Sequence, residues 1–118
     1  MSKLLLREKD KNTLIHIFSE TESPIEVWAY GSRVNGDAHS GSDLDLVIRS
    51  QGLKPLPIGL YIQLKEKIKE SNIPILVELK DWAKLPESFH KNIEQKFEVL
   101  FSSHSQILNE PETEYNSK

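Results

Sequence analysis

The chain has 118 residues, of which 37% are hydrophobic and 28% charged, values typical of one ordinary globular domain. Its net charge of −3, from 15 basic and 18 acidic side chains, leaves no broad basic surface and disfavours direct binding of nucleic acid. The sequence has no cysteine, which excludes disulfides and thiolate metal sites, and no apolar run long enough for a signal peptide or a membrane span. We therefore expect a cytoplasmic protein without membrane association.

The first third of the chain predicts a helix, a strand and a short helical turn. Residues 10–20 carry apolar side chains on one side of a helix, which ends before Pro24 because proline disfavours helix in the residue preceding it. Residues 25–30 are β-branched and aromatic, as is typical of a strand. Gly31 ends this strand, and residues 32–35 are expected to open a short helix.

The middle of the chain predicts a loop, a second strand and a second long helix. Residues 35–37 and 39–42 have loop composition, with glycine, serine and asparagine. Residues 43–49 predict a strand whose alternation places three aliphatic side chains on one face and two aspartates on the other. A loop with two prolines follows, and apolar residues at helical spacing predict a helix over residues 58–70.

The last third predicts a third strand, a helix and a short closing strand. Residues 73–79 form the third strand, residues 86–97 the helix, and residues 99–101 the closing strand. We expect a domain over residues 1–101 and a flexible polar tail over residues 102–118. Three or four strands with helices place the domain in the α/β (α+β) class.

Two short motifs carry the functional signal. Gly31 and Ser32 follow an apolar strand, where the amides and hydroxyl of a tight turn can hold phosphate oxygens. Ten residues later, Asp43 and Asp45 lie in a strand with both carboxylates on one face, about 6–7 Å apart along it. Such carboxylates repel unless a cation lies between them, and Mg²⁺ shares its ligands with substrate phosphates. The motifs indicate nucleotide chemistry; the alternative is a hairpin turn beside an unrelated acidic strand edge.

Residues 27–33 and 42–48 resemble the minimal nucleotidyltransferase (MNT) antitoxins of the DNA polymerase β-like nucleotidyltransferase superfamily. The resemblance extends over about residues 10–101, with residues 77–82 and 93–100 in place of the family's third strand and closing segment. Its specific part is the Gly-Ser and Asp-x-Asp pattern. The resemblance implies a single-domain polymerase β-like fold, with a mixed sheet flanked by helices, two Mg²⁺ ions and ATP or another nucleoside triphosphate as substrate.

The resemblance also implies the catalytic and metal-binding residues. Asp43 and Asp45 would bridge both Mg²⁺ ions, and Glu78 stands where the family has a third carboxylate, which holds the metal that activates the acceptor hydroxyl. Two metals roughly 3.5–4 Å apart stabilise the attacking and leaving oxygens of an in-line displacement. The family usually has aspartate at the third position, and Glu78 adds a methylene. The alternative for Glu78 is an ion pair with a lysine at a strand edge.

The phosphate-binding residues that the resemblance implies are Gly31, Ser32 and Arg33. Ser32 corresponds to the residue that contacts the triphosphate tail. For Arg33 we keep two alternatives, a phosphate contact and a structural ion pair. Many relatives have arginine or lysine where this chain has Asn35, so that position supplies no cation to the triphosphate.

Three functions follow from these observations. The resemblance implies transfer of AMP from ATP to a tyrosine hydroxyl of a cognate HEPN-domain ribonuclease toxin, with this chain as the antitoxin of the pair. Asn35 and Glu78 motivate the alternative, a catalytically weak or inactive antitoxin that neutralises the toxin by binding it. A small-molecule nucleotidyltransferase of the antibiotic-modifying kind is the third, and the lack of room for an acceptor domain argues against it.

Overall fold

A four-stranded sheet with helices on both faces forms the described part of the chain, residues 6–35 and 43–103 of the computed structural model. The helices and strands in chain order are α1 (Glu8–Ser19), β1 (Ile25–Tyr30), α2 (Ser32–Asn35), β2 (Leu44–Ser50), α3 (Ile58–Glu70), β3 (Val77–Asp81), α4 (Glu87–Gln95) and β4 (Glu98–Ser102). One 3-10 turn follows β2 and another follows β3. No helix within the described ranges is long and apolar enough to cross a membrane.

The sheet is mixed, and its strand order is β3-β2-β1-β4. β1 pairs antiparallel with both β2 and β4, whereas β3 pairs parallel with β2. A parallel pair needs a long crossover, and the segment containing α3 supplies it. The α/β (α+β) class and the mixed sheet flanked by helices are therefore confirmed.

The side chains of β2 point alternately to two separate cores, one on each face of the sheet. Leu44, Leu46 and Ile48 are fully buried on the face covered by α1 and α3. Asp45 and Val47 point to the opposite face, where α4 covers a smaller core. The members of this smaller core are Trp28, Tyr30, Val47, Trp82 and Ile93, with Leu85, Phe89 and Phe97 packed against them. The aspartate of the second strand thus lies at the margin of an aromatic core.

Aromatic stacking ties the smaller core together. The rings of Trp28 and Phe97 are stacked with centroids 3.7 Å apart, and Trp82 meets Trp28 edge-on at 5.4 Å. The guanidinium of Arg49 lies 4.1 Å from the Trp28 ring and 4.6 Å from the Trp82 ring, and it also pairs with Glu26 at 3.1 Å. These contacts connect β1, β2 and the chain after β3.

Most predicted elements match the structure, and the third strand is the main exception. β1, α2 and α3 have the predicted bounds, and the other elements are displaced by one to a few residues. The predicted strand over residues 73–79 was wrong at both ends, since β3 covers Val77–Asp81. Among the described residues, β2 supplies register partners only from Leu44, which faces Val77, so the segment before Val77 has no strand partner there.

The last described residues differ slightly from the predicted bounds of the last helix and the closing strand. α4 ends at Gln95, so Phe97 packs from the connection to β4 rather than from the helix. β4 includes Ser102, and the Ser103 hydroxyl donates to the Ile25 carbonyl at 3.1 Å and accepts from the Ile25 amide at 2.9 Å. The predicted tail beyond this point and the predicted loop over residues 36–42 lie outside the described residues.

Candidate active site

Three side chains form a row across the sheet. Tyr30 at the end of β1 is the register partner of Asp45 in β2, and Asp45 is the register partner of Glu78 in β3. Paired residues project from the same face of a sheet, so this row, the site row, lies on the face covered by α4. Asp43 lies just before β2 and two residues before Asp45, so it follows the same alternation as Asp45, and it is exposed. The structure thus brings Asp45 and Glu78, far apart in sequence, next to each other.

Gly31 joins the two sequence motifs in space. Its φ of +85° lies in the left-handed region, which residues with a side chain rarely adopt. A Cβ placed on Gly31 would also meet the Asp45 carboxylate Oδ2 well inside 3.0 Å, the limit that real Cβ atoms respect. The Val34 amide donates to the Gly31 carbonyl at 3.0 Å and turns the chain into α2, which begins at the half-buried Ser32. The backbone of the Gly-Ser turn therefore lies directly against the central carboxylate.

The electrostatics of the site centre on Asp45. Burial raises the pKa of the Asp45 carboxyl above its ordinary value, and the negative charges of Asp43 and Glu78 raise it further. The positive charge of Lys80 lowers that pKa and offsets part of the effect. A half-buried carboxylate with two like-charged neighbours is a place where a divalent cation is favourable.

Lys80 is a site residue that the sequence reasoning missed. Its Nζ lies 3.6 Å from Oε1 of Glu78, and the two side chains are 34% and 46% exposed. The alternative stated for Glu78, an ion pair with a lysine at a strand edge, is therefore present in the structure. The signal was available, because residues two apart in a strand project from the same face.

Tyr30 is a second missed residue. Its side chain is 8% exposed, and its ring meets the Phe89 ring of α4 edge-on at 6.1 Å. Burial, together with the charges of Asp45 and Glu78, raises the pKa of the phenol to about 12. Its hydroxyl is buried, with no hydrogen-bond partner among the residues that the structure describes. The sequence alone did not pair Tyr30 with Asp45, because that pairing depends on the register between β1 and β2.

The acidic residues supply the chemistry that magnesium prefers. Asp43, Asp45 and Glu78 offer carboxylate oxygens, which Mg²⁺ binds together with substrate phosphates. Within residues 6–35 and 43–103, no three Asp, Glu, His or Cys side chains are close enough to form a ready-made metal cluster. The donor set and the raised pKa of Asp45 fit a hard divalent cation, and the ion pair of Glu78 with Lys80 would have to open for Glu78 to join it.

The predicted phosphate contacts lie at the start of α2. Ser32 is half-buried beside Gly31, whereas Arg33 is buried, at 7% exposure. The burial of Arg33 accords with a structural ion pair as well as with a phosphate contact. The roles of Gly31, Ser32 and Arg33 in phosphate binding stay predictions.

Comparison with known proteins gives a family and a relative. The family model described as "Polymerase beta, Nucleotidyltransferase" matches residues 12–106. The probable protein adenylyltransferase MntA of Haemophilus influenzae is 45% identical over 74 residues, which make up 63% of this chain and 63% of that protein. The chain thus matches less than two thirds of the length of this relative.

Two solved structures share the fold. A crystal structure of a toxin–antitoxin with AMP-PNP matches with a TM-score of 0.64 and 16% identity, over 81% of this chain and 76% of that chain. A crystal structure of the toxin–antitoxin MntA–HepT matches with a TM-score of 0.60 and 13% identity, over 85% of this chain and 76% of that chain. Because the family model covers most of the sequence, this chain belongs to the polymerase β nucleotidyltransferase family.

Proposed function

We propose that this chain is a Mg-dependent nucleotidyltransferase that transfers AMP from ATP to a tyrosine hydroxyl of a cognate HEPN ribonuclease toxin. It would act in the cytoplasm as the antitoxin of a toxin–antitoxin pair. The observation that carries the proposal is the contact between Gly31 and Asp45 in the centre of the site row, with Glu78 alongside. The identity to a probable protein adenylyltransferase supports AMP as the transferred group, and the two similar toxin–antitoxin structures support the kind of partner.

In this proposal the β1–α2 turn holds the triphosphate. The backbone of Gly31 allows close approach, since it has no side chain between the turn and Asp45. The Ser32 hydroxyl donates to a phosphate oxygen, and Arg33 adds positive charge from a buried position. These groups orient the nucleotide so that its α-phosphorus lies over the central carboxylate.

Asp43, Asp45 and Glu78 would together hold the two Mg²⁺ ions of the proposed reaction. When bound, such ions neutralise phosphate charge and favour loss of the acceptor proton. Asp45 would have to be ionised to serve as a ligand, and its raised pKa makes that ionisation more costly. The positive charge of Lys80 offsets part of the negative charge of Asp45 and Glu78. The oxygen of the acceptor then bonds to the α-phosphorus as the bond to pyrophosphate breaks.

The test measures the intact mass of the partner toxin after incubation with this chain, ATP and Mg²⁺. We expect one or more AMP additions with the wild type and none with Asp45→Asn. Glu94→Gln, which removes one negative charge from an exposed position on α4, is the matched control and should transfer AMP normally. AMP transfer by Asp45→Asn at the wild-type rate would refute the assignment of this carboxylate.

One observation favours a second function, neutralisation by binding alone. The third carboxylate, Glu78, is already paired with Lys80 rather than free for a metal. A binding antitoxin would suppress the ribonuclease activity of the toxin with no AMP on it, and Asp43→Asn would suppress it equally well. The enzymatic proposal requires the reverse, a complex between Asp43→Asn and the toxin in which the ribonuclease remains active.

A further inference from the structure

The hydroxyl of Tyr30 is a buried hydrogen-bond donor without a partner among the described residues. The side chain is 8% exposed, and neither residues 6–35 nor residues 43–103 supply an acceptor to its hydroxyl. Buried polar atoms in folded proteins almost always have a partner, because burial removes the water that would otherwise bind them. An exception calls for an explanation, and a site that is completed by a ligand is one such explanation.

The position of Tyr30 indicates which ligand would supply the missing acceptor. Its cross-strand partner is Asp45, and a phenol extends further from the sheet than the shorter aspartate side chain. The register therefore places the Tyr30 side chain beside Asp45, on the face of the sheet that carries the site row. Two other buried nitrogens in the described ranges lack partners, on Trp28 and Arg49. The Arg49 guanidinium, however, is satisfied elsewhere by its ion pair with Glu26 and by the rings it stacks on.

We propose that Tyr30 is a positioning residue whose hydroxyl donates a hydrogen bond to a phosphate oxygen of the bound triphosphate. This inference rests on the proposed function and adds a contact to those proposed for Gly31, Ser32 and Arg33. A phenol keeps its proton at neutral pH, so the hydroxyl is available as a donor.

The test is the substitution Tyr30→Phe, which removes only the hydroxyl. The empty protein should melt at the same temperature or higher, because an unpaired buried hydroxyl is lost. Binding of tripolyphosphate and of ATP, each with Mg²⁺, should weaken about ten- to a hundredfold, as expected for a hydrogen bond to a charged group. Binding of Mg²⁺ alone should not change.

Tyr61→Phe is the matched control, because the Tyr61 hydroxyl has a partner. It donates to the Leu79 carbonyl at 2.6 Å, between α3 and β3. Its loss should lower the melting temperature and leave the binding of both phosphate ligands unchanged. Tyr30→Phe should therefore weaken phosphate binding without lowering the melting temperature, whereas Tyr61→Phe should lower the melting temperature without weakening phosphate binding.

The outcomes separate this inference from the proposed function. If the wild type binds neither ATP nor tripolyphosphate, the proposed function fails. If the wild type binds both and Tyr30→Phe binds them equally well, the positioning role is overturned while the proposed function stands. A loss for ATP alone, a loss for Mg²⁺ alone, or a lower melting temperature of the empty Tyr30→Phe protein would also overturn the inference.

Discussion

Substitution of Gly31 by alanine tests the geometry that joins the two motifs. Gly31 has a φ of +85°, and an alanine Cβ there would meet the Asp45 carboxylate. Two effects follow, a cost in backbone conformation and a displacement of Asp45. Both arise from a single methyl group, so the substitution separates this geometry from any change in charge.

The expected size of each effect can be worked out separately. A residue with a side chain in the left-handed region costs roughly 1–2 kcal/mol. For a chain of this size, about 4 °C of melting temperature corresponds to 1 kcal/mol, so we expect a decrease of about 4–8 °C. The carboxylate of Asp45 must also move away from the new methyl group. A displacement of about 1 Å at a reacting centre can cost a hundredfold in rate.

The assay pairs thermal unfolding with AMP transfer to the partner toxin, and Gly59→Ala is the control. Gly59 lies in α3, and no described atom outside the helix's own backbone and the neighbouring residues comes within 4 Å of the place a Cβ would take. Alanine there should raise the unfolding free energy by up to about 1 kcal/mol without affecting transfer. A Gly31→Ala protein with wild-type melting temperature and transfer rate would refute the argument that the glycine is required by its φ and by Asp45.

Three further substitutions test charge and packing around the site. Asp45→Asn without Mg²⁺ should melt at a higher temperature than the wild type near neutral pH, since the raised pKa means that ionised Asp45 destabilises the fold. The difference in melting temperature should vanish as the pH falls below 3.8, the ordinary pKa of the carboxyl, because Asp45 is then protonated in both the folded and the unfolded wild type. A difference in melting temperature that stays constant with pH would show that the charge of Asp45 is not its cause. Lys80→Met should bind Mg²⁺ up to about fivefold more tightly by calorimetry, a change below about 1 kcal/mol, because the half-buried lysine competes with the metal for Glu78. Weaker binding would contradict this reasoning. Arg49→Lys should lower the free energy of unfolding by about 1–2 kcal/mol in urea titrations, since a lysine ammonium lacks the planar guanidinium that contacts the Trp28 and Trp82 rings. An unchanged midpoint would contradict this reasoning.

The sequence predicts those elements whose pattern is local. The apolar side chains of α3 recur at helical spacing, and its bounds follow from the proline before it and the polar residues after it. In β2 the alternation of leucine and aspartate predicts which face is buried, and the structure agrees at Leu44, Leu46 and Asp45. Each of these predictions needs only neighbours in the chain.

Features that depend on strand pairing could not be read from the sequence. The start of β3 at Val77 is set by the first residue of β2 that can pair with it, and the aliphatic residues before Val77 carry no sign of that limit. The same holds for Tyr30, since only the register of β1 against β2 places its ring beside Asp45. Lys80 could have been predicted from the sequence, because it lies two residues from Glu78 in one strand, and such residues project from the same face.

The order of the strands also sets the direction of the proposed reaction. Gly31 and Ser32 lie at the end of β1 on one side of Asp45, whereas Glu78 lies on the other side, on the edge strand β3. An in-line displacement needs the acceptor oxygen and the leaving pyrophosphate on opposite sides of the α-phosphorus. In the proposed reaction, the triphosphate would therefore occupy the β1 side, and the acceptor hydroxyl would approach from the β3 side. An acceptor arriving from that side would meet the ion pair of Glu78 with Lys80 before it meets Asp45, because β3 lies between the edge of the sheet and β2.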